Sequence, residues 1–300
     1  MNKIIVHDVG MRDGLQMEKK IVPLDVKIQW IQKLIESGIE CIQVGSFVNP
    51  EKMPQMKDTE DIFQHFSGKS KPDNIVLSGL ILNEKGYERA VNSGVDLICM
   101  GVSASETHSM KNTGMTTDEA LQRIIGIAKN ALKNGKKIQV SVQSAFGCGF
   151  EGRIDESRVY SIVEKYIDAG IANISLADTA GHANPAQVRR MYSHLIEMKS
   201  DLVLACHFHN TYGMGLVNTL TAIENGATYI ETAFGGLGGC PFTKLASGNV
   251  ATEDFVHMMQ AMGYQSGISL DPLISLCKTA SEYFEKTLPG YVYKAGSIKH

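Results

Sequence analysis

The chain has 300 residues, 43% hydrophobic and 20% charged, with a formal net charge of −3. That is an ordinary soluble globular composition, long enough for a large core and without the basic surplus that nucleic acid or an anionic membrane calls for. No apolar run approaches the ~20 residues of a membrane span, and the opening MNKIIVHDVG resembles neither a secretory signal nor a transit peptide.

The first β-branched run is IIVHDV (4–9), followed by MRDGLQ and then by DVKIQWIQKLIESG (25–38), which has a helical period. CIQVGSF (41–47), IVLSGLIL (75–82), VDLICMGVSA (95–104) and KIQVSVQSAF (137–146) continue the series of strands. Next comes DESRVYSIVEKYIDAG (155–170), a helix with Val159, Ile162, Val163, Tyr166 and Ile167 on one face and charges on the other. ANISLAD (172–178), LVLACHFH (202–209) and TYIETAF (228–234) complete eight strands. Gly38, Gly94, Gly135, Gly170 and Gly226 each stand where a helix would end before the next strand. A further helix is expected over roughly 272–287, then a tail, LPGYVYKAGSIKH, whose end is expected to be loose.

Strands buried on both faces and alternating with helices indicate a parallel sheet. Eight such units, with no insertion large enough to seed a second domain, predict an α/β fold of the closed (β/α)8 TIM-barrel type. The expected organisation is one domain over residues 1–300, with the barrel at about 4–265 and a helical extension at about 266–300. VGMRDGLQ after the first strand is not GxGxxG, so no dinucleotide cofactor is expected. Cys41, Cys99, Cys148, Cys206, Cys240 and Cys277 lack CxxC spacing, which argues against a zinc ribbon or a disulfide framework and for a reducing cytoplasm.

In such a barrel the chemistry sits at the C-terminal ends of the strands. Four polar features fall there: Arg12 and Asp13 after strand one, Asp178 ending strand six, His207 and His209 on strand seven, and the loop GGLGGCPFTKLASGN with Cys240 and Asn249 after strand eight. His207 and His209, two apart on a strand, share a face. Each feature has an ordinary reading: two core histidines, Asp13 and Asp178 as loop caps, Arg12 as a surface ion pair, Asn249 as a residue preceding a helix, Cys240 as an inert small residue. Their convergence on one rim favours a carboxylate, imidazole and amide set suited to Mg, Mn, Co or Zn.

The motifs RDGLQ (12–16), SFVNP (46–50), PQM (54–56), GCGFEG (147–152), SLADT (175–179), HFHNTYG (207–213) and GLGGCP…SGNVATED (236–254) closely resemble those of 3-hydroxy-3-methylglutaryl-CoA lyases, within the DRE-TIM metallolyase group. The resemblance covers roughly residues 4 to 265. It implies a divalent cation, Mg or Mn foremost, on Asp13, His207, His209 and Asn249, with Arg12 stabilising the thioester enolate. It also implies that Asp178 and Cys240 assist proton transfer, that Ser46 and Ser175 contact substrate, and that the partner is an acyl-CoA. A homodimer is expected by analogy alone. Gly235, Gly236, Gly238 and Gly239 suit either a loop that closes over substrate or a tight turn.

The chain departs from the family at Gln43, where a glutamate is usual, at Asn210, where the family has aspartate, and at Thr243 and Leu245, usually a small residue and glycine. Gln43 keeps hydrogen-bonding capacity but cannot act as a base. Three outcomes therefore stay open: a lyase for 3-hydroxy-3-methylglutaryl-CoA, a sister lyase for a substrate such as citramalyl-CoA or a longer 3-hydroxyglutaryl analogue, or a metal- and acyl-CoA-binding protein with little turnover. A condensing synthase is disfavoured, because GLGGCP is a lyase feature and no regulatory domain fits the remaining length.

Overall fold

The computed structural model describes residues 3–68, 71–239 and 248–298. Eight parallel strands close into a barrel in sequence order: β1 (Ile5–Asp8), β2 (Cys41–Ser46), β3 (Val76–Leu80), β4 (Leu97–Ser103), β5 (Lys137–Gln143), β6 (Asn173–Asp178), β7 (Val203–Phe208) and β8 (Ala227–Thr232). β8 returns to β1 with Ile5 opposite Tyr229 and His7 opposite Glu231. All eight expected strands are present, each within a few residues of its expected limits.

Helices cover the barrel: α1 (Leu24–Glu36), α2 (Thr59–His65), α3 (Glu84–Asn92), α4 (Glu106–Thr113), α5 (Thr117–Lys133), α6 (Glu156–Asp168), α7 (Pro185–Met198), α8 (Gly215–Glu224), α9 (Thr252–Ala261), α10 (Leu270–Tyr283) and α11 (Val292–Ala295). Strand alternation decides what faces them. On β5, Ile138, Val140 and Val142 join the main apolar core, while Gln139, Ser141 and Gln143 line the barrel's interior cavity. A barrel interior is commonly packed with branched apolar side chains; this one carries polar groups instead, and they become the site.

After β4 the chain makes two helices. Gly114, with φ 73°, ends α4, and Thr116 and Glu119 form a reciprocal cap that starts α5. The split lays α4, with His108 and Asn112, over the cavity. Trp30 of α1 meets Phe234, Tyr283 and Phe284 edge-on at ring separations of 5.7–5.8 Å, fixing α10 against the barrel.

The tail is docked as far as α11, and its end at residues 299–300 lies outside the described residues. Leu288 and Tyr293 are buried, Gly290 N–H donates to Gly235 O at 3.0 Å, and the Asp254 carboxylate accepts from the N–H groups of Tyr291 and Val292 at 2.9 and 2.7 Å. No helix among the described residues is long and apolar enough to cross a membrane.

Candidate metal centre and active site

Residues Gly10–Gly14 form a single π-helical turn directly after β1. The N–H groups of Arg12, Asp13 and Gly14 all point at Val9 O, at 3.1, 2.8 and 3.3 Å. This wide turn swings Arg12 and Asp13 over the barrel mouth, the kind of local irregularity that functional sites often use. Asp8 anchors it from behind: its carboxylate accepts from Gly10 N and Phe234 N, and from Thr252 Oγ1 at 2.6 Å.

His207 and His209 share a face, as their spacing requires, and their Nε2 atoms lie 3.1 Å apart. His209 Nε2 is 3.9 Å from Asp13 Oδ2, and one ligand atom from each of Asp13, His207 and His209 lies within 4.8 Å of the others. Two nitrogens bound at ~2.1 Å to one cation, at roughly 90–110° to each other, would sit about 3.0–3.4 Å apart. The observed separation falls in that range.

Asn249 lies beside this group. Its segment runs beside the end of β7, with Asn210 N–H donating to Gly248 O and Val250 N–H to Phe208 O. Asn249 Nδ2 donates to Asp13 Oδ2 and to Leu237 O, both at 2.9 Å. Its Oδ1 is left buried and without a hydrogen-bond partner among the described residues. A buried acceptor without a partner, on a residue bonded to Asp13, is of the type that can ligate a cation. Gly238 stands against this group with φ 111°, where a Cβ would lie 2.5 Å from Asn249 Nδ2. At this position, glycine serves close packing.

Burial pushes the Asp13 carboxyl up, but the charges of Arg12, His207 and His209 and the Asn249 amide outweigh it and hold Asp13 well below the usual carboxylate range. His207 loses basicity to burial and more than regains it from Glu231, so it sits above an ordinary histidine. Burial, then the neighbouring His207 charge, lowers His209 to about 4. His209 is thus readily neutral, as a ligand must be.

These groups open onto a cavity of about 290 Å³ lined by Arg12, Gln43 and Ser46, with Leu80, Cys99, Gln139 and Glu231 also on its wall. Arg12 Nε donates to Gln43 Oε1, and Arg12 Nη1 meets Asp13 Oδ1 at 2.6 Å. Gln43 therefore holds the guanidinium as a neutral acceptor. Asn210 likewise does an acceptor's work, taking the Gly215 N–H at the start of α8.

Two expected residues are placed elsewhere. Asp178 lies between Ala177 and Thr179, which line the cavity; strand alternation turns its side chain away. Its oxygens accept from the N–H groups of His182 and Ala183 at 2.8 and 3.1 Å, and burial, only partly offset by those bonds, raises its carboxyl to about 7. The loop-cap reading describes it. Ser175 keeps the correct face but is two residues deeper than Ala177, beside Glu231 and off the cavity wall. Cys240, Thr243 and Leu245 lie outside the described residues.

The residue that sequence reasoning passed over is Glu231, whose Oε2 is 3.0 Å from His207 Nδ1. Its signal was available: a lone carboxylate inside TYIETAF, a strand otherwise read as buried.

Comparison with known proteins identifies the family. The family model described as HMGL-like matches residues 3–279. The hydroxymethylglutaryl-CoA lyase YngG of Bacillus subtilis (strain 168) is 35% identical over 287 residues, covering 96% of this chain and 95% of its own. The (R)-citramalyl-CoA lyase of Chloroflexus aurantiacus is 33% identical over 305 residues, covering 99% and 96%. An HMG-CoA lyase from Acinetobacter baumannii, solved in complex with coenzyme A and 3-methylmalate, superposes with a TM-score of 0.91 at 41% identity, covering 99% of this chain and 96% of that one. The chain belongs to the hydroxymethylglutaryl-CoA lyase family and is a carbon–carbon lyase.

Proposed function

We propose that the chain cleaves 3-hydroxy-3-methylglutaryl-CoA to acetyl-CoA and acetoacetate, with a divalent cation, Mg or Mn, held by Asp13, His207, His209 and Asn249. The observation that carries this reading is the convergence of two imidazoles, a carboxylate and an orphaned amide oxygen beside an arginine at the mouth of one cavity.

When bound, the cation supplies the Lewis acidity that lowers the pKa of the C3 hydroxyl. The hydroxyl proton passes to solvent, the C2–C3 bond breaks, the C3 oxygen becomes the ketone of acetoacetate, and the electron pair of the broken bond moves onto the thioester as an enolate. Arg12 meets that charge. Its Nε and Nη1 are fixed by Gln43 and Asp13, so the guanidinium plane is set before substrate arrives, and Nη2 has no partner among the described residues. Gln43 cannot be the base, having no proton-accepting group in the working pH range. Cys240, by the family resemblance, protonates the enolate carbon. Asp178 serves through the main chain it caps, holding the loop after β6 beside the cavity.

The test is turnover by purified protein with Mg or Mn and a panel of thioesters, the free acid products being identified by mass. The 3-hydroxy-3-methylglutaryl thioester should yield acetoacetate faster than citramalyl-CoA yields pyruvate. The reverse order would move the assignment to the sister substrate. Metal binding without cleavage of any thioester would remove the catalytic assignment.

A further inference from the structure

Among the described residues, the cavity wall carries two carboxylates: Asp13, already placed in the metal centre, and Glu231. Glu231 stands opposite His207 in the β7–β8 register. Its Oε2 is 3.0 Å from His207 Nδ1, and the two side chains are only 10% and 8% exposed. The two nitrogens of His207 thus face different partners: Nδ1 looks at a carboxylate, and Nε2 looks at His209 Nε2, 3.1 Å away. A carboxylate beside one nitrogen keeps the proton there and leaves the lone pair on the other. Glu231 therefore selects the Nδ1–H form of a neutral His207 and aims its lone pair at the point where Asp13 and His209 converge. His209 has no such support, since its Nδ1 is buried without a hydrogen-bond partner among the described residues.

We infer that Glu231 is the positioning residue of the metal centre, orienting His207 and returning from β8 the negative charge that Gln43 does not supply from β2. The inference rests on the metal reading proposed above and deepens it. Arg12 and Asp13 cancel as a pair, so without Glu231 the centre would present a dication with a formally neutral wall. Placed behind the ring, Glu231 adds its charge without occupying a coordination position, and it raises the electron density at Nε2. Ser175, one layer deeper, and His7 flank its carboxylate.

The experiment is a titration of metal-free protein with Mn²⁺, followed by the paramagnetic signal of the free ion, for wild type, D13N and E231Q. Loss of a carboxylate behind a ligating histidine should weaken Mn²⁺ binding about 10- to 100-fold in E231Q. In ¹⁵N-labelled metal-free protein, at a pH where the ring is neutral, His207 should be an Nδ1–H tautomer in wild type and a mixture in E231Q, a change that packing alone would not produce. E231L, which removes acceptor and charge together, should abolish the tautomer preference. If wild type binds one Mn²⁺, D13N loses it and E231Q keeps it within twofold with an unaltered His207 spectrum, the role given to Glu231 is wrong and the metal centre stands. If wild type binds no Mn²⁺, the centre falls and Glu231's role with it.

Discussion

Substituting Gly238 by alanine should damage the proposed metal centre without replacing any of its ligands. The new Cβ would lie 2.5 Å from Asn249 Nδ2 and 3.3 Å from Asp13 Oδ2, against a comfortable separation of ~3.5 Å. Asn249 must therefore retreat by about 1 Å, enough to stretch hydrogen bonds now at 2.9 Å to Asp13 and Leu237 beyond ~3.5 Å. Strain at a φ of 111° adds to the loss. Together these cost roughly 3–6 kcal/mol, with ~1–3 for strain and the rest from two buried bonds. For a chain of this size that lowers Tm by on the order of 10 °C. A misplacement of ~1 Å at a catalytic centre costs about 100-fold in rate, and Mn²⁺ affinity should fall with it. Calorimetric unfolding of the metal-free protein and Mn²⁺ titration together decide the matter. A G238A variant with unchanged Tm and Mn²⁺ affinity would refute the account of why glycine stands there.

Gln43→Glu should change kcat/KM by less than about tenfold, because Gln43 already fixes Arg12 and Glu231 already carries the second charge; a gain of several hundredfold in steady-state assays would mean that the native site is crippled by the missing carboxylate. Lys27 is 2% exposed and pairs with Asp58 at 2.6 Å, so Lys27→Met should cost about 3–5 kcal/mol in urea unfolding. The double variant K27M/D58L should recover most of that loss, and no recovery would show that the pair does more than satisfy itself. Burial, partly offset by hydrogen bonds that include Gly235 N–H, raises the Glu253 carboxyl from 4.5 to about 7. Since its folded pKa exceeds its unfolded one, its contribution is fully present below about pH 4.5 and is lost as pH rises through 7, a change of roughly 3 kcal/mol. Glu253→Gln should flatten that part of the stability curve between pH 5 and 8, and an unaltered slope in thermal unfolding would count against the assignment.

The barrel was legible because strand alternation and glycine stops act locally: Val140 faces a helix and Gln139 the lumen by parity alone. Asp13, His207 and His209 were legible because chemistry-bearing residues at strand ends must meet at one rim. Asp178 shows the limit. Its place at the end of β6 was readable, but its direction depends on which neighbour faces inward, and Ala177 does. Glu231 escaped for a related reason. Its meaning lies in a register that sets it across from His207, 24 residues earlier on the neighbouring strand, and nothing in a linear reading reports that pairing. The wide turn at Gly10–Gly14 is likewise produced by the Asp8 and Phe234 contacts around it.

The docked C-terminal tail has a consequence for how the enzyme matures. Gly290 grips Gly235, and Leu288 fills the space beside it, so the rim that carries Gly238 is clamped by a segment that follows the whole barrel in the chain. A nascent chain can close all eight strands and gather Asp13, His207 and His209 while that rim is still unpinned. Competence then arrives only once the Leu288–Gly290 segment has docked, and a protein trimmed just before Leu288 should keep that rim unpinned, with fast amide exchange at Gly235–Gly238 inside an intact barrel.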